Sequence, residues 1–127
     1  MAVELIQSLS YAKINEIISF QRNSDGSVLV EVTNWTDIPM NPASGEFSYA
    51  SRTDSAGISY TTSVGARLRE HIGAIPECIL KIILCSGRVL ILGTPFVPVR
   101  GGESRSLTLN RLGIEHYSVD PAALLVI

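Results

Sequence analysis

The segment Glu77–Pro95 constrains the fold of this chain more than any other stretch of its sequence. It contains two apolar runs, Cys78–Cys85 and Val89–Leu92, on either side of the pair Ser86-Gly87. A glycine in such a pair accepts the positive φ angle of a two-residue turn, so the spacing predicts a tight β-hairpin. Because both faces of this hairpin are apolar, we expect protein to cover both and the hairpin to lie at the centre of the core.

A two-residue turn also determines which residues of the hairpin stand opposite one another. The expected pairs are Cys85 with Arg88, Leu84 with Val89, Ile83 with Leu90 and Ile82 with Ile91. The two cysteines, Cys78 and Cys85, then lie in one strand and point to opposite faces, so they cannot form a disulfide with each other. We expect both to be buried free thiols.

Short alternating segments separated by turns occupy most of the remaining chain. Ala2–Ser10 is compatible with a short helix or a strand, and Asn23–Gly26 is a turn between two strands. This pattern predicts one mainly β domain over residues 1–127, an antiparallel β-sandwich or small β-barrel with at most a short helix. The predicted strands outside the central hairpin are Lys13–Gln21, Val28–Thr33, Glu46–Ala50, Ile58–Leu68, Ser106–Asn110, Gly113–Val119 and Ala122–Ile127.

Four segments have the composition of connections rather than strands. Asn34–Gly45 contains two prolines and is predicted to be a loop that Trp35 and its apolar neighbours hold against the core. Ser51–Gly57 is a polar break, and Arg69–Pro76 is either one helical turn or an irregular link. Gly93–Ser104 is rich in proline and glycine and is expected to be loop-like.

Composition limits the kinds of partner that the chain can have. Charged residues make up 17% of the sequence, below the usual quarter, and the net charge is -2. Clustered basic residues that would bind phosphates are missing, so we expect no nucleic-acid partner. No apolar run approaches the roughly 18 residues of a membrane span, and the start of the chain lacks a signal-peptide pattern, so we expect no membrane partner and a cytoplasmic location.

The residue types that carry catalysis are present without a recognisable arrangement. His71 lies in a polar link and His116 in an alternating segment, and neither has metal-ligand neighbours at suitable spacing. The stretch Arg100–Ser106 superficially resembles a phosphate-binding loop but lacks its Gly-Lys-Ser/Thr ending, so a flexible loop is the preferred interpretation. We therefore predict no catalytic residues, no cofactor and no metal.

Aromatic and charged residues outside the central hairpin supply candidate contact residues instead. Tyr49 and Tyr60 lie near Arg52 in the sequence, which is the closest approach to an aromatic surface beside a cation. The candidate interaction residues are Trp35, Tyr49, Arg52, Asp54, Tyr60, Arg100 and Arg105.

Two stretches of the chain carry a family resemblance, GEFSYASRTDSAGISYTTSVGARL and ILKIILCSGRVLILGTPFVPVR. The residues that match are Asp54, Ala56, Gly57, Tyr60, Thr61, Thr62, Leu92–Pro95, Pro98 and Arg100. On these residues the chain resembles small β-rich proteins encoded in prophage structural modules of Bacteroides-type bacteria, near head–tail joining and tail genes. The resemblance covers roughly residues 45–110.

The resemblance implies a non-enzymatic structural protein of a virion neck or tail that acts through protein–protein contacts. Such proteins assemble into rings, so self-association into a ring is one expectation, as is a final location in the virion. Ser51–Gly57 and Val97–Ser106 are then candidate loops that order on assembly. The small polar face of Ile58–Leu68 is a candidate to pair with a neighbour's sheet edge.

Two other functions remain open on the residues alone. A small β-sandwich binding module would hold a sugar or peptide on Trp35 together with Tyr49 or Tyr60, and would show a concave pocket with exposed aromatic residues. An enzyme with a dispersed site would bring His116 within hydrogen-bond reach of a carboxylate in a cleft.

Overall fold

The computed structural model describes residues 2–41, 44–54, 57–70, 74–95, 98–105, 110–118 and 123–124. Within these ranges the backbone forms strands, turns and one 3-10 turn, Ile14–Glu16. The strands are β1 (Ala2–Lys13), β2 (Ile17–Arg22), β3 (Val28–Val32), β4 (Thr36–Asp37), β5 (Gly45–Asp54), β6 (Gly57–Arg67), β7 (Ala74–Leu84), β8 (Val89–Leu92), β9 (Val99–Arg105), β10 (Asn110–Ser118) and β11 (Ala123–Leu124).

The strands form one large curled sheet and one separate hairpin. The large sheet has the order β11-β8-β7-β9-β10-β6-β5-β1-β4, and β2 and β3 form a separate two-stranded sheet. Because β7 also pairs with β1, the strands β1, β7, β9, β10, β6 and β5 follow one another around a circuit. Every pairing is antiparallel, which confirms the mainly β, antiparallel fold class predicted from the sequence.

The inner face of the curled sheet holds the larger apolar cluster. A register shift in β1 between Ile6 and Ser8 lets Ile6 and Leu9 both face inward, although an unbroken strand would place them on opposite faces. The buried members of this cluster are Ile6, Leu9, Ile38, Met40, Phe47, Val64, Ala66, Leu68, Ile75, Cys78, Leu80, Ile82, Leu84, Leu90, Leu92, Val99, Leu112 and Ile114.

A second apolar cluster lies on the outer face, under the hairpin formed by β2 and β3. Its buried members are Ala12, Val28, Ile79 and Ile91, and Phe20 and Trp35 pack against it among other partly buried residues. Strand β7 therefore contributes Ile79 to the outer cluster and its neighbour Leu80 to the inner one. The prediction that protein covers both faces of the central hairpin is confirmed.

The turn of the central hairpin differs from the prediction by one residue. The N–H of Gly87 donates a hydrogen bond to the carbonyl oxygen of Leu84 at 2.9 Å. The N–H of Leu84 donates to the carbonyl oxygen of Arg88, also at 2.9 Å. Gly87 has a φ of 95°, so the loop has three residues with glycine in the left-handed position. Val89 consequently stands opposite Ile83 rather than Leu84, and every predicted pair of this hairpin is wrong by one residue.

The same turn corrects the prediction for one cysteine. Cys85 belongs to the three-residue loop and is exposed, whereas Cys78 lies in β7 and is buried. Both are free thiols, as predicted.

Parts of three segments predicted as connections are strands instead. Ser51–Asp54 continues β5, and Val99–Arg105 forms β9, which pairs with both β7 and β10. Strand β7 starts at Ala74 and tolerates Pro76 because the register shifts between Ile75 and Cys78. Ser51–Asp54 pairs with the next strand in the sequence, β6, whereas the start of β7 and β9 pair with each other although they are distant in the sequence.

The remaining strand predictions have mixed outcomes. Ala2–Ser10, left open between helix and strand, belongs to β1, and the first half of Lys13–Gln21 belongs to β1 and the 3-10 turn. Strand β10 contains Gly113 and begins earlier than predicted, at Asn110. The predictions for Ser106–Leu109, for Val119 and for most of Ala122–Ile127 lie outside the described residues.

We expect Gly87→Ala to lower the free energy of unfolding by about 1–2 kcal/mol, because an L side chain is disfavoured at this left-handed φ. Gly113→Ala is the matched control, since its added Cβ would meet nothing within 4 Å and its φ is not positive. The free energy of unfolding of Gly113→Ala should stay the same or rise by up to about 1 kcal/mol, because a glycine in a strand is entropically costly. Urea denaturation measures the free energy of unfolding of both variants. An equal decrease in the two would contradict the assigned turn.

Candidate protein-contact site

Strands β5 and β6 form a hairpin that extends beyond its neighbours. Their pairing runs from Glu46 opposite Gly65 to Asp54 opposite Gly57. The last described pair between β1 and β5 is Ala2 opposite Tyr49. The far part of this hairpin, Ala50–Asp54 with Gly57–Ser59, is called the arm below.

On the other side of the hairpin, the described pairing of β6 with β10 ends at nearly the same position along the strands. The last described pair between β10 and β6 is Ser118 opposite Tyr60. Among the residues that the structure describes, the arm is therefore two strands wide. An isolated two-stranded hairpin is marginally stable in water, so the arm depends on the curled sheet that anchors it.

Burial along β6 falls steadily toward the arm. Thr62 and Val64 are each 2% exposed, Tyr60 is partly buried, and Gly57, Ile58 and Ser59 are all exposed. On β5 the buried Phe47 gives way to Tyr49, which is 46% exposed. The hairpin thus passes from the core of the protein into solvent within a few residues.

The inner face of the hairpin remains partly apolar where it leaves the core. Thr53 stands opposite Ile58, and Ser51 opposite Tyr60, on the face that continues from Phe47 and Val64. The ring centroids of Phe47 and Tyr49 are 6.2 Å apart with an interplanar angle of 43°. Ile58 is 52% exposed, which leaves apolar area on this face without a cover from the described part of the chain.

Two polar residues are buried where the arm joins the core. Thr62 stands opposite His116 of β10, and these side chains are 2% and 7% exposed. Burial places the imidazole inside the protein rather than on its surface. His71 lies outside the described residues. Within the described ranges no group of three or more His, Cys, Asp or Glu residues is placed to hold a metal ion.

The structure brings four of the predicted contact residues to one hairpin. Tyr49, Arg52 and Asp54 lie on β5, and Tyr60 lies on β6. The register places Arg52 opposite Ser59 and Asp54 opposite Gly57, at the end of the arm.

The other three predicted contact residues lie elsewhere. Trp35 packs against the outer cluster, with the Nζ atom of Lys81 4.7 Å from its ring centroid. Its indole therefore packs on the outer cluster, whereas Tyr49 and Tyr60 lie on the hairpin face that continues from the inner cluster, so the structure does not bring Trp35 together with either tyrosine.

Arg100 and Arg105 belong to β9 instead of a loop. Arg105 stands opposite Asn110, at the start of β10, whereas the arm adjoins the end of β10. Strand β10 separates β9 from β6, so neither arginine is part of the arm.

Sequence reasoning missed Ile58 as a contact residue. It begins the predicted strand Ile58–Leu68 and is not among the predicted contact residues, but it lies beyond Tyr60, the last residue of β6 that pairs with the described part of β10, and is 52% exposed. No local sequence signal marks Ile58, because its exposure depends on where the pairing with β10 ends.

Comparison of the chain with protein-family models, with curated proteins and with solved structures gives no match. In the described residues, no helix is long and apolar enough to cross a membrane.

The two thiols should react very differently with a thiol reagent in the folded protein. Cys78 is fully buried, its Sγ lies 3.7 Å from the carbonyl oxygen of Val99, and burial raises its pKa to about 12. Since the thiolate is the reactive form, we expect one fast-reacting thiol per chain between pH 7 and 9, and a second only after denaturation. Cys85→Ser should abolish the fast reaction, and rapid labelling of that variant would contradict the placement of Cys78.

Proposed function

We propose that the protein is a non-enzymatic structural protein that assembles through protein–protein contacts, with the arm as its contact element. One observation carries this proposal: in the described residues the β5–β6 hairpin extends past the last pairs with β1 and β10, and Tyr49 and Ile58 are exposed there. Exposed strand edges pair with further strands, and exposed apolar area favours burial against a partner.

The composition supports a contact function for this surface. A charged fraction of 17% leaves much of the surface neutral or apolar. In the arm, the residues described as exposed include Ala50, Ser51, Thr53 and Ser59, which are all small. Small neutral residues allow another chain to approach closely at little desolvation cost.

The family resemblance suggests the setting, a phage-derived virion neck or tail. Three of the residues that carry it, Asp54, Gly57 and Tyr60, lie on or directly beside the arm. Mass spectrometry of particles purified from the host bacterium after prophage induction tests this setting. The protein is expected in stoichiometric amounts with other virion proteins, and its consistent absence from the particles would contradict a virion role.

We expect Ile58→Ser to weaken self-association about tenfold, because the variant loses apolar area that the contact would bury. Light scattering on a size-exclusion column, over a concentration series, measures the change. Ile18→Ser is the matched control, because Ile18 also lies on a strand and is 59% exposed, but on β2.

The control variant should associate like the wild-type chain. Equal effects of the two substitutions would show that general surface hydrophobicity, and not the arm, drives association. A wild-type chain that stays monomeric at the highest concentration would contradict self-association.

A further inference from the structure

We infer that the partner of the arm is a second copy of this chain, joined by antiparallel pairing of the two β5 edges about a two-fold axis at Thr53. The inference rests on the proposed function, in which the arm is the contact element, and it adds the identity of the partner and the register of the contact.

The first step concerns the edge itself. Strand β5 pairs with β1 from Gly45 to Tyr49, and in the described residues positions 50–54 pair only with β6. These positions contain no proline, so each carries a backbone N–H, and in a strand alternate N–H and C=O groups point away from the partner strand. The edge therefore offers a row of hydrogen-bonding groups to an incoming strand.

The second step concerns symmetry. Two copies of one strand can pair antiparallel about a two-fold axis perpendicular to the sheet, and the residue at the axis then stands opposite its own copy. Because the axis is perpendicular to the sheet, the inner faces of the two hairpins lie on the same side of the joined sheet. Only a few axis positions are available, because in the described residues the part of this edge that pairs with no other strand spans Ala50–Asp54.

The third step uses charge to choose among these positions. An axis at Arg52 would place two arginines opposite each other, and an axis at Asp54 would place two aspartates opposite each other. An axis at Thr53 instead places Arg52 of each copy opposite Asp54 of the other. Opposite charges across a sheet stabilise the pairing and like charges destabilise it, so the charge pattern favours Thr53.

The resulting contact joins two marginal hairpins into one four-stranded sheet, β6–β5–β5–β6. Three or more strands with an apolar face are more stable than two, so pairing supports each arm. Thr53 stands opposite Ile58 within each copy, so the two isoleucines come to lie on the same face of the joined sheet. The pairing is short, and we expect a weak dimer that loosens with added salt.

Charge reversal tests the register directly. Arg52→Glu places Glu opposite Asp54, and Asp54→Arg places Arg opposite Arg52, so each variant should raise the dimer dissociation constant about tenfold. The double variant exchanges the charges and should return the constant to within about threefold of wild type. Analytical ultracentrifugation at low salt measures all four proteins. A double variant that associates no better than the single variants would overturn the proposed register.

Cross-linking gives a second, independent test. In a Cys85→Ser background, Thr53→Cys should form an intermolecular disulfide on mild oxidation, because directly opposite residues lie close enough to bridge. Ser51→Cys is the matched control, since the proposed register sets Ser51 about 13 Å from its own copy. Both positions are exposed on β5. Equal yields at the two positions, or no bridge at Thr53→Cys, would overturn the axis at Thr53.

These outcomes separate failure of the inference from failure of the proposed function. If Ile58→Ser weakens association while charge reversal and cross-linking show no register dependence, the arm remains the contact and the edge-to-edge dimer is wrong. If neither Ile58→Ser nor the arm charges alter the mass distribution, the arm is not the contact and both proposals fail. A two-fold contact closes a pair, so a ring would need a second, different surface.

Discussion

The burial of β7 on both faces is the constraint on which the rest of the structure depends. Leu80 and Ile82 lie in the inner cluster and Ile79 in the outer one, and all three are fully buried. A strand covered on both sides must have its backbone groups paired as well, because no water reaches them. Strand β7 accordingly pairs with β1 along one edge and with β8 and β9 along the other, and these pairings bring distant parts of the chain together.

The circuit of strands that β7 completes also explains why the arm exists. The strands of the circuit differ in length, and β5 and β6 are longer at one end than the strands beside them. A sheet that curls on itself leaves few unpaired edges, so in the described residues the part of β5 beyond Tyr49 stands out as an edge that pairs only with β6. The same geometry leaves Ile58 exposed, although its alternation pattern resembles that of a core residue.

Sequence patterns predicted the fold where local signals and tertiary environment agree. The apolar segment around Ile82 and the turn Asn23–Gly26 are of this kind, and Gly26 has the positive φ that such a turn needs. Prediction failed at β9, because Gly101 and Gly102 resemble a loop until strands from elsewhere pair with them. The hairpin register was missed by one residue because two-residue and three-residue loops with glycine share the same sequence signal.

The candidate site was predictable in part for the same physical reason. Tyr49 and Tyr60 are recognisable from the sequence because they are aromatic residues close to Arg52, whereas the exposure of Ile58 depends on where the pairing with β10 ends, and no local pattern contains that information. The residues that stabilise the fold are consequently different from the residues that form the contact. The two clusters on β7 hold the fold, while the arm adds little buried apolar area of its own. Substitutions in the arm should therefore change the dissociation constant of the contact while leaving the cooperative unfolding of the curled sheet unchanged. The contact can then be studied by mutation without loss of the fold.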